Sequence, residues 1–529
     1  VLNECLSFLL KHSLKIKGEL IMIKQLIKNS FVMSKVMSAY EAALMIKDGM
    51  TVATSGFTPS GYPKEVPKAL ADIVESTGKK IKLTLLTGAS VGEEIDGRWT
   101  QAGIICKRMP YQTNNLLRNS INRGECEFSD IHLSNFAQNI RYGFYGEIDI
   151  AIIEAVGITE EGFIIPSTSV GASPVYVQKA RKVIVEINTS LSKQLEGFAD
   201  VYMPDDPPHR LPIPLFSAQQ RIGTKYIPCN KEKIAAVVIS EIQDKHTVFS
   251  ECDDTALKIS NHLLNFLHNE IIMNRVPKTL LPLQSGVGNI ANAVLSGIEK
   301  SNFSNISFYT EVIQDSMLKL IKKGKAVFAS GTALTLSTDC FKEFENNISF
   351  FKERVVLRPQ EISNSPEIIR RLGVIAINTA IEADIYGNIN STNLFGTRMM
   401  NGIGGSGDFA RNAYLSIFTM PSAAKNGDIS SIVPMVSHHD HTEHDVMILI
   451  TENGVADLRG LSPKQRAMAI INNCSHPYYR PMLKDYFLRS QKSGSLHTPH
   501  RLEEALSWHV RFLRYGTMKT NAADSVVVG

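Results

Sequence analysis

The sequence predicts an α/β protein made of two similar open α/β domains with mostly parallel sheets. Three observations carry this. From residue 38 onward, short apolar runs alternate with amphipathic segments, the pattern of strands joined by crossover helices. Runs such as DIAIIEAVGI (149–158) and KVIVEIN (182–188) are almost continuously apolar, as strands covered on both faces must be. At 529 residues the chain is too long for a single core. The stretch MPDDPPHRLPIPL (203–215) is a proline-rich irregular segment, and a polar patch, QDKHTVFSECDD (243–254), marks the boundary between two halves of the same style.

In the first half the expected strands are TVATSGF (51–57), KLTLLTGAS (82–90), 149–158, 182–188 and AAVVISEI (235–242). PKEVPKALADIVES (63–76) opens on proline and spaces its apolar residues helically, so it reads as a helix with Pro in its first turn. The second half repeats the pattern with ISFYTEVI (306–313), AVFASGTAL (326–334), VVLRP (355–359), VIAINTAIEADIYGN (374–388), YLSIFTM (414–420) and VMILITENGVADLRG (446–460). Its expected helices include IANAVLSGIEKS (290–301), SPEIIRRLG (365–373) and LEEALSWHVRFLRYG (502–516). The domains are placed at 38–240 and 241–520.

Residues 1–37 differ. They are rich in Lys, Leu and Ile, with Glu4 and Glu19 their only acids, and they lack arginine and a small-residue cleavage site. They are read as an extension upstream of a native start at Met22, Met33 or Met37 and are set apart from the fold; the alternative is a mitochondrial transit segment.

Composition narrows the function. Hydrophobic residues at 43% and charged residues at 20% describe an ordinary globular chain. A net charge of +4 suits a small anionic ligand, and no basic face suggests nucleic acid. Seven scattered cysteines without a C-x-x-C pair argue against a disulfide framework or zinc site and for a reducing, cytoplasmic setting. No run approaches the roughly 18 apolar residues of a membrane span.

Glu311 is an acid at the end of an apolar, β-branched run, where open α/β sheets place chemistry. Taken alone, it could equally form a strand-end salt bridge with an arginine. Glycine turns SGFTPSGYP (55–63), SGVGN (285–289) and GIGGSGDF (402–409) can bring backbone N–H groups close to a ligand, or can be ordinary tight turns. The third matches G-x-G-x-x-G, but GTRMMN precedes it instead of a strand, so an oxyanion-binding loop is expected and NAD is not. SHHDHTEHD (437–445) is rich in metal-ligating residue types without ligand spacing; it is expected to satisfy its own hydrogen bonds in a loop, with no metal.

Together, LQSGVGNIANAVL, FYTEVIQD, LRPQEISNSPEIIRRLG, GTRMMNGIGGSGDFARNAYLSIF and ITENGVADLRG resemble the acetyl-CoA hydrolase/transferase family of class I CoA-transferases. SGFTPSGYPKEVPKALA and HTPHRLEEALSWHVRFLRYGTM are similar to its long members, and the resemblance spans about 38–520. It implies an active site between the domains and Glu311 as covalent nucleophile. Coenzyme A would then move between a short acyl-CoA (acetyl-, succinyl- or propionyl-) and acetate or succinate through a glutamyl-CoA thioester; the alternative is acyl-CoA hydrolysis on the same scaffold. It further implies Asn364 and the Gly405 N–H as oxyanion donors and Glu452 as a carboxylate orienting Asn364 or tuning the charge. Coenzyme A contacts map onto Gln284, Ser285, Gly286, Ile381, Asn401, Gly405 and Lys425, the last as a phosphate partner. Taken without the resemblance, Asn364 could be a helix N-cap before Pro366 and Lys425 a solvated loop lysine. Acyl-CoA and small carboxylic acids are the expected partners, with a homodimer as the assembly and no membrane or nucleic acid.

Overall fold

The first sheet is built from β1 (Thr51–Thr54), β2 (Leu83–Gly88), β3 (Ile105–Pro110), β4 (Glu127–Phe128), β5 (Ile150–Ile158), β6 (Ile164–Pro166), β7 (Lys182–Asn188) and β8 (Ile234–Ser240). The structure is a computed structural model that describes residues 21–245, 252–492 and 496–520. The strands run in the order β4-β3-β2-β1-β5-β7-β8, all parallel, with β6 antiparallel on β5. Side chains of β5 alternate between two cores: Ile150 and Ile152 join one, while Ala151, Ile153 and Ala155 join the other. Both faces are therefore dry, which is why the strand reads as a continuous apolar run.

The second sheet uses β9 (Leu283–Ser285), β10 (Ile306–Tyr309), β12 (Ala326–Gly331), β14 (Val355–Leu357) and β15 (Ile375–Thr379) in the order β14-β12-β10-β9-β15. It continues through Leu415–Thr419 and Ile448–Thr451 to an antiparallel edge, Gly454–Asp457. Two short strands, β11 (Val312–Gln314) and β13 (Ala333–Thr335), form a separate parallel ribbon. One core cluster runs without a break from Ile153 and Val185 into Phe308, Ile377 and Ile448, so the two sheets share an apolar interior.

Several sequence expectations change. ISFYTEVI is two strands, because the chain bends at Thr310–Glu311. AVFASGTAL breaks opposite it at Thr332, whose N–H donates to the Glu311 carbonyl at 2.7 Å. The helix expected over 502–516 is Ser507–Tyr515. Residues 246–251 of the polar patch and residues 1–20 lie outside the described residues. The segment set apart as an extension enters the fold before residue 38. Ile27 and Val36 form bridges to Ile158 and Val237, Val32 is buried, and Asn29 caps Ser30–Met33 while donating to the Glu160 carbonyl.

Beneath the first glycine turn, Lys64 is wholly buried with its ammonium 2.5 Å from Glu154 and 2.8 Å from Asp244, which also accepts the Gly61 N–H. Glu186 accepts the N–H groups of Lys64, Glu65 and Val66 at the start of helix Glu65–Thr77. Lys64→Met leaves buried carboxylates without their cation. A loss of about 3–5 kcal/mol is expected in denaturant unfolding; an unchanged midpoint would contradict this account of the cluster.

Candidate active site

In each sheet the chain leaves a central strand first to one side and later to the other, and ligands favour the carboxyl ends at such a switch. The first sheet switches between β1 and β5, the second between β9 and β15. Their carboxyl ends open on one cavity of about 250 Å³. From the first domain come Phe57, Thr58, Ala89, Tyr111 and Leu133, which follow β1, β2 and β3 or begin helix Leu133–Arg141. From the second come Gln284 and Ser285 at the end of β9 and Gly286 just after it, Glu311 after β10, Asn378 and Thr379 at the end of β15, and the run Asn401–Ser406.

Glu311 stands at the bend between β10 and β11. Its Oε1 accepts a hydrogen bond from Asn364 Nδ2 at 2.8 Å, and no cation pairs with it among the described residues. Burial pushes its carboxyl up to about 7; the Asn364 bond opposes this and the nearby Asp408 charge adds to it. The salt-bridge alternative for Glu311 therefore fails. So does the N-cap alternative for Asn364: Ser365 is the residue before helix Pro366–Leu372, and the Asn364 amide is spent on the site. Asn364 Oδ1 accepts from Ser363 Oγ at 2.8 Å, which fixes the amide with its NH₂ toward Glu311.

The glycine loop fits between the domains because its glycines have no side chains. A Cβ on Gly405 would lie 2.1 Å from Glu311 Oε1 and 2.2 Å from Asn364 Nδ2. One on Gly402 would meet Asp130 at 2.7 Å, and one on Gly407 would meet the His132 ring at 2.3 Å. The spacing that imitates a dinucleotide fingerprint is thus filled by protein side chains. First-domain residues hold the loop further: Asp130 accepts the Ile403 N–H at 2.8 Å, and Ser134 binds Asp408.

Gln284, Ser285, Gly286, Glu311, Asn401 and Gly405 line the cavity, with Asn364 directly behind Glu311. Ile381, Lys425 and Glu452 do not line it. Ile381 donates its N–H to the Asn390 carbonyl at 2.9 Å. Lys425 is exposed, its ammonium 4.9 Å from the centre of the Phe512 ring. Glu452 does not reach Asn364: it follows strand Ile448–Thr451, two strands beyond β15, and is taken up by the Ser422 N–H at 2.8 Å and the Ser422 hydroxyl. The carboxylate that does meet Asn364 is Asp408, at 3.3 Å. In the histidine run, Asp440 accepts from the Ser391 N–H and the Thr392 hydroxyl, while buried His441 packs on Phe418 and meets Ser406 Oγ at 3.2 Å. No group of three or more potential ligands is disposed to hold a metal among the described residues. Likewise, none of the described helices is long and apolar enough to cross a membrane.

Sequence reading passed over Tyr111, Ser134, Asn378 and Asp408. Tyr111 follows a strand disguised by Lys107 and Arg108; Arg108 is buried against Asp96 at 3.1 Å. Asp408 had a signal, since it lies in the quoted glycine run, but an acid in a helix's first turn reads as ordinary.

Family models match both halves: the acetyl-CoA hydrolase/transferase N-terminal domain over residues 22–239 and the C-terminal domain of the same family over 341–487. The chain belongs to the acetyl-CoA hydrolase/transferase family. It is 58% identical to a succinyl-CoA:acetate CoA-transferase of Clostridium kluyveri, over 93% of this chain and 92% of that one. It is 44% identical to an acetyl-CoA hydrolase of Candida glabrata, over 96% and 99% of the two chains. The fold matches the crystal structure of RipA from Yersinia pestis with a TM-score of 0.66 at 20% identity, covering 86% of this chain and 97% of that one. As an enzyme of the acetyl-CoA hydrolase/transferase family, the chain draws Phe57, Thr58, Ala89, Tyr111 and Leu133 of its cavity from the N-terminal family match and Asn401–Ser406 from the C-terminal one, with Glu311 between the two matches.

A raised carboxyl also marks this site in the protein's stability. Folded Glu311 holds its proton up to about 7, against 4.5 for the free group. The native state therefore binds more protons than the unfolded one between those values, and stability falls as pH rises through that window. Glu311→Gln removes this effect while its carbonyl can still accept from Asn364. A higher melting temperature than wild type is expected at pH 8, with the difference vanishing toward pH 4.5; equal melting at both would contradict the assigned burial.

Proposed function

We propose that this enzyme transfers coenzyme A between a short acyl-CoA and a small carboxylate, with Glu311 as the covalent carrier. The observation that carries the reading is a carboxylate with no cation partner among the described residues, aimed by a buried amide into a cavity shared by both domains. A carboxylate so desolvated is a stronger nucleophile than one in water. The relatives' activities support the substrate class: one is named for succinyl-CoA and acetate, another for acetyl-CoA hydrolysis.

The steps balance without net proton transfer. Glu311 attacks the thioester carbonyl and expels CoA thiolate, leaving an acyl-glutamyl anhydride. The thiolate attacks the glutamyl carbonyl, forming a glutamyl-CoA thioester and freeing the donor's carboxylate. An acceptor carboxylate then attacks that thioester, giving a new anhydride and thiolate. Finally, the thiolate attacks the acceptor's acyl carbonyl, releasing new acyl-CoA and ionised Glu311. Asn364 Nδ2, already on Glu311 Oε1, is the donor for the oxyanions formed on the glutamyl carbonyl, and the Gly405 N–H is the donor for those formed on the substrate's acyl carbonyl, worth on the order of 100-fold or more apiece.

Because Glu311 must be ionised to attack, kcat/KM for the acyl-CoA is expected to fall as pH drops through about 7. A profile flat to pH 5 would contradict this role. Transfer is separated from hydrolysis by adding acetate to succinyl-CoA and the enzyme: new acetyl-CoA supports the proposal, and free CoA alone supports hydrolysis, with water intercepting the glutamyl thioester.

A further inference from the structure

Asn364 is fully buried, and its single NH₂ is shared by two carboxylates. One hydrogen goes to Glu311 Oε1 at 2.8 Å, the other toward Asp408 Oδ2 at 3.3 Å. Asp408 is itself only 4% exposed and has no cation partner among the described residues. Both its oxygens are gripped from the other domain: the Ser134 N–H donates to Oδ2 at 3.0 Å and the Ser134 hydroxyl to Oδ1 at 2.5 Å. For folding alone this is a poor choice, since a buried carboxylate without a counter-charge is unfavourable and a neutral amide would serve better.

We infer that Asp408 is a positioning residue: held by Ser134, it sets the Asn364 amide and thereby aims Glu311, tying the nucleophile to the seating of the first domain on the glycine loop. The inference rests on the proposed role of Glu311. With its oxygen anchored by Ser363 and its nitrogen by Asp408, the Asn364 amide is kept from rotating, and its bond to Glu311 keeps one direction.

Other charged or titratable groups surround the pair. Tyr111 faces Glu311 from the first domain; burial and that charge push its hydroxyl up to about 12, so it stays neutral. His132 lies against Gly407, its ionisation disfavoured by burial and by Arg411, with Asp445 and Asp440 opposing. Asp130 holds the Ile403 N–H, and Arg411, on Asp408's own helix, is drawn to Asp445 at 3.6 Å. None of these touches Asn364.

The test compares wild type, Asp408→Asn and Ser134→Ala in the full chain. Steady-state rates with succinyl-CoA and acetate are measured across pH. In parallel, infrared difference titration follows the Glu311 carboxyl, assigned by its loss in Glu311→Gln. Asp408→Asn is expected to lower kcat on the order of 10- to 100-fold, with KM for acyl-CoA within about threefold of wild type. Burial pushes the Asp408 carboxyl up to about 7 as well, so its charge develops in the same range as that of Glu311, and its loss in Asp408→Asn should move the acid limb and the Glu311 titration to lower pH. Ser134→Ala should give the same changes to a smaller extent, and it carries the test if Asp408→Asn does not fold. A folded Asp408→Asn with wild-type kcat, or with an unmoved Glu311 titration, overturns the inference. Failure of wild type to form a CoA adduct on Glu311 would instead refute the reaction, while the infrared shift still decides whether Asp408 governs Glu311.

Discussion

Glu311→Gln is expected to lose turnover by a factor on the order of 10⁴ or more, the scale on which removal of a covalent nucleophile acts. The substitution is nearly isosteric, and the glutamine carbonyl can still accept from Asn364, so the cavity and its glycine loop keep their shape. Only the ability to attack a thioester goes. Binding should survive: acyl-CoA affinity, read by calorimetry, is expected within about tenfold of wild type, because the bond to Glu311 forms after binding and not during it. Folded protein that binds acyl-CoA yet turns over at wild-type rate would show that the carboxylate is not the carrier.

Gly405→Ala is expected to cost on the order of 100- to 1,000-fold in kcat while leaving the protein folded. The residue's φ is −96°, a negative value that alanine also adopts, so no left-handed backbone stands in the way. The added methyl is the difficulty: it would lie 2.1 Å from the Glu311 oxygen and 2.2 Å from the Asn364 nitrogen. Asn364 cannot easily withdraw, being held by Ser363 and Asp408, and the Glu311 backbone is fixed by the Thr332 N–H. The carboxylate itself must therefore turn away from its line of attack. Thermal melting and single-turnover kinetics on the same sample separate this from unfolding; an active Gly405→Ala with native melting would contradict the packing described.

Much of this was legible in the chain, and the reasons are local. Lys182–Asn188 matched its expected strand because a strand buried on both faces admits few polar residues. Glu311, singled out at the end of its apolar run, comes together with Asn364 and Gly405, whose roles the resemblance implied, around a single contact. What could not be read was the third dimension between strands. Glu452 follows the same kind of apolar run as Glu311, yet strand order puts it two strands beyond β15 and beside Ser422. Asp408 looked like an ordinary first-turn acid, because nothing linear links it to Ser134, 274 residues away. The bend at Thr310–Glu311 was hidden for a related reason: it is held by the Thr332 N–H, at the break between β12 and β13, and by no turn residue of its own.

Peptide-mapped mass spectrometry after incubation with succinyl-CoA or acetyl-CoA, without acceptor acid, tests the central claim most directly. The expected result is a CoA adduct on the peptide that contains Glu311, absent from Glu311→Gln and discharged to new acyl-CoA when acetate is added. Unmodified Glu311 in an enzyme that still transfers CoA between acids would contradict the covalent account.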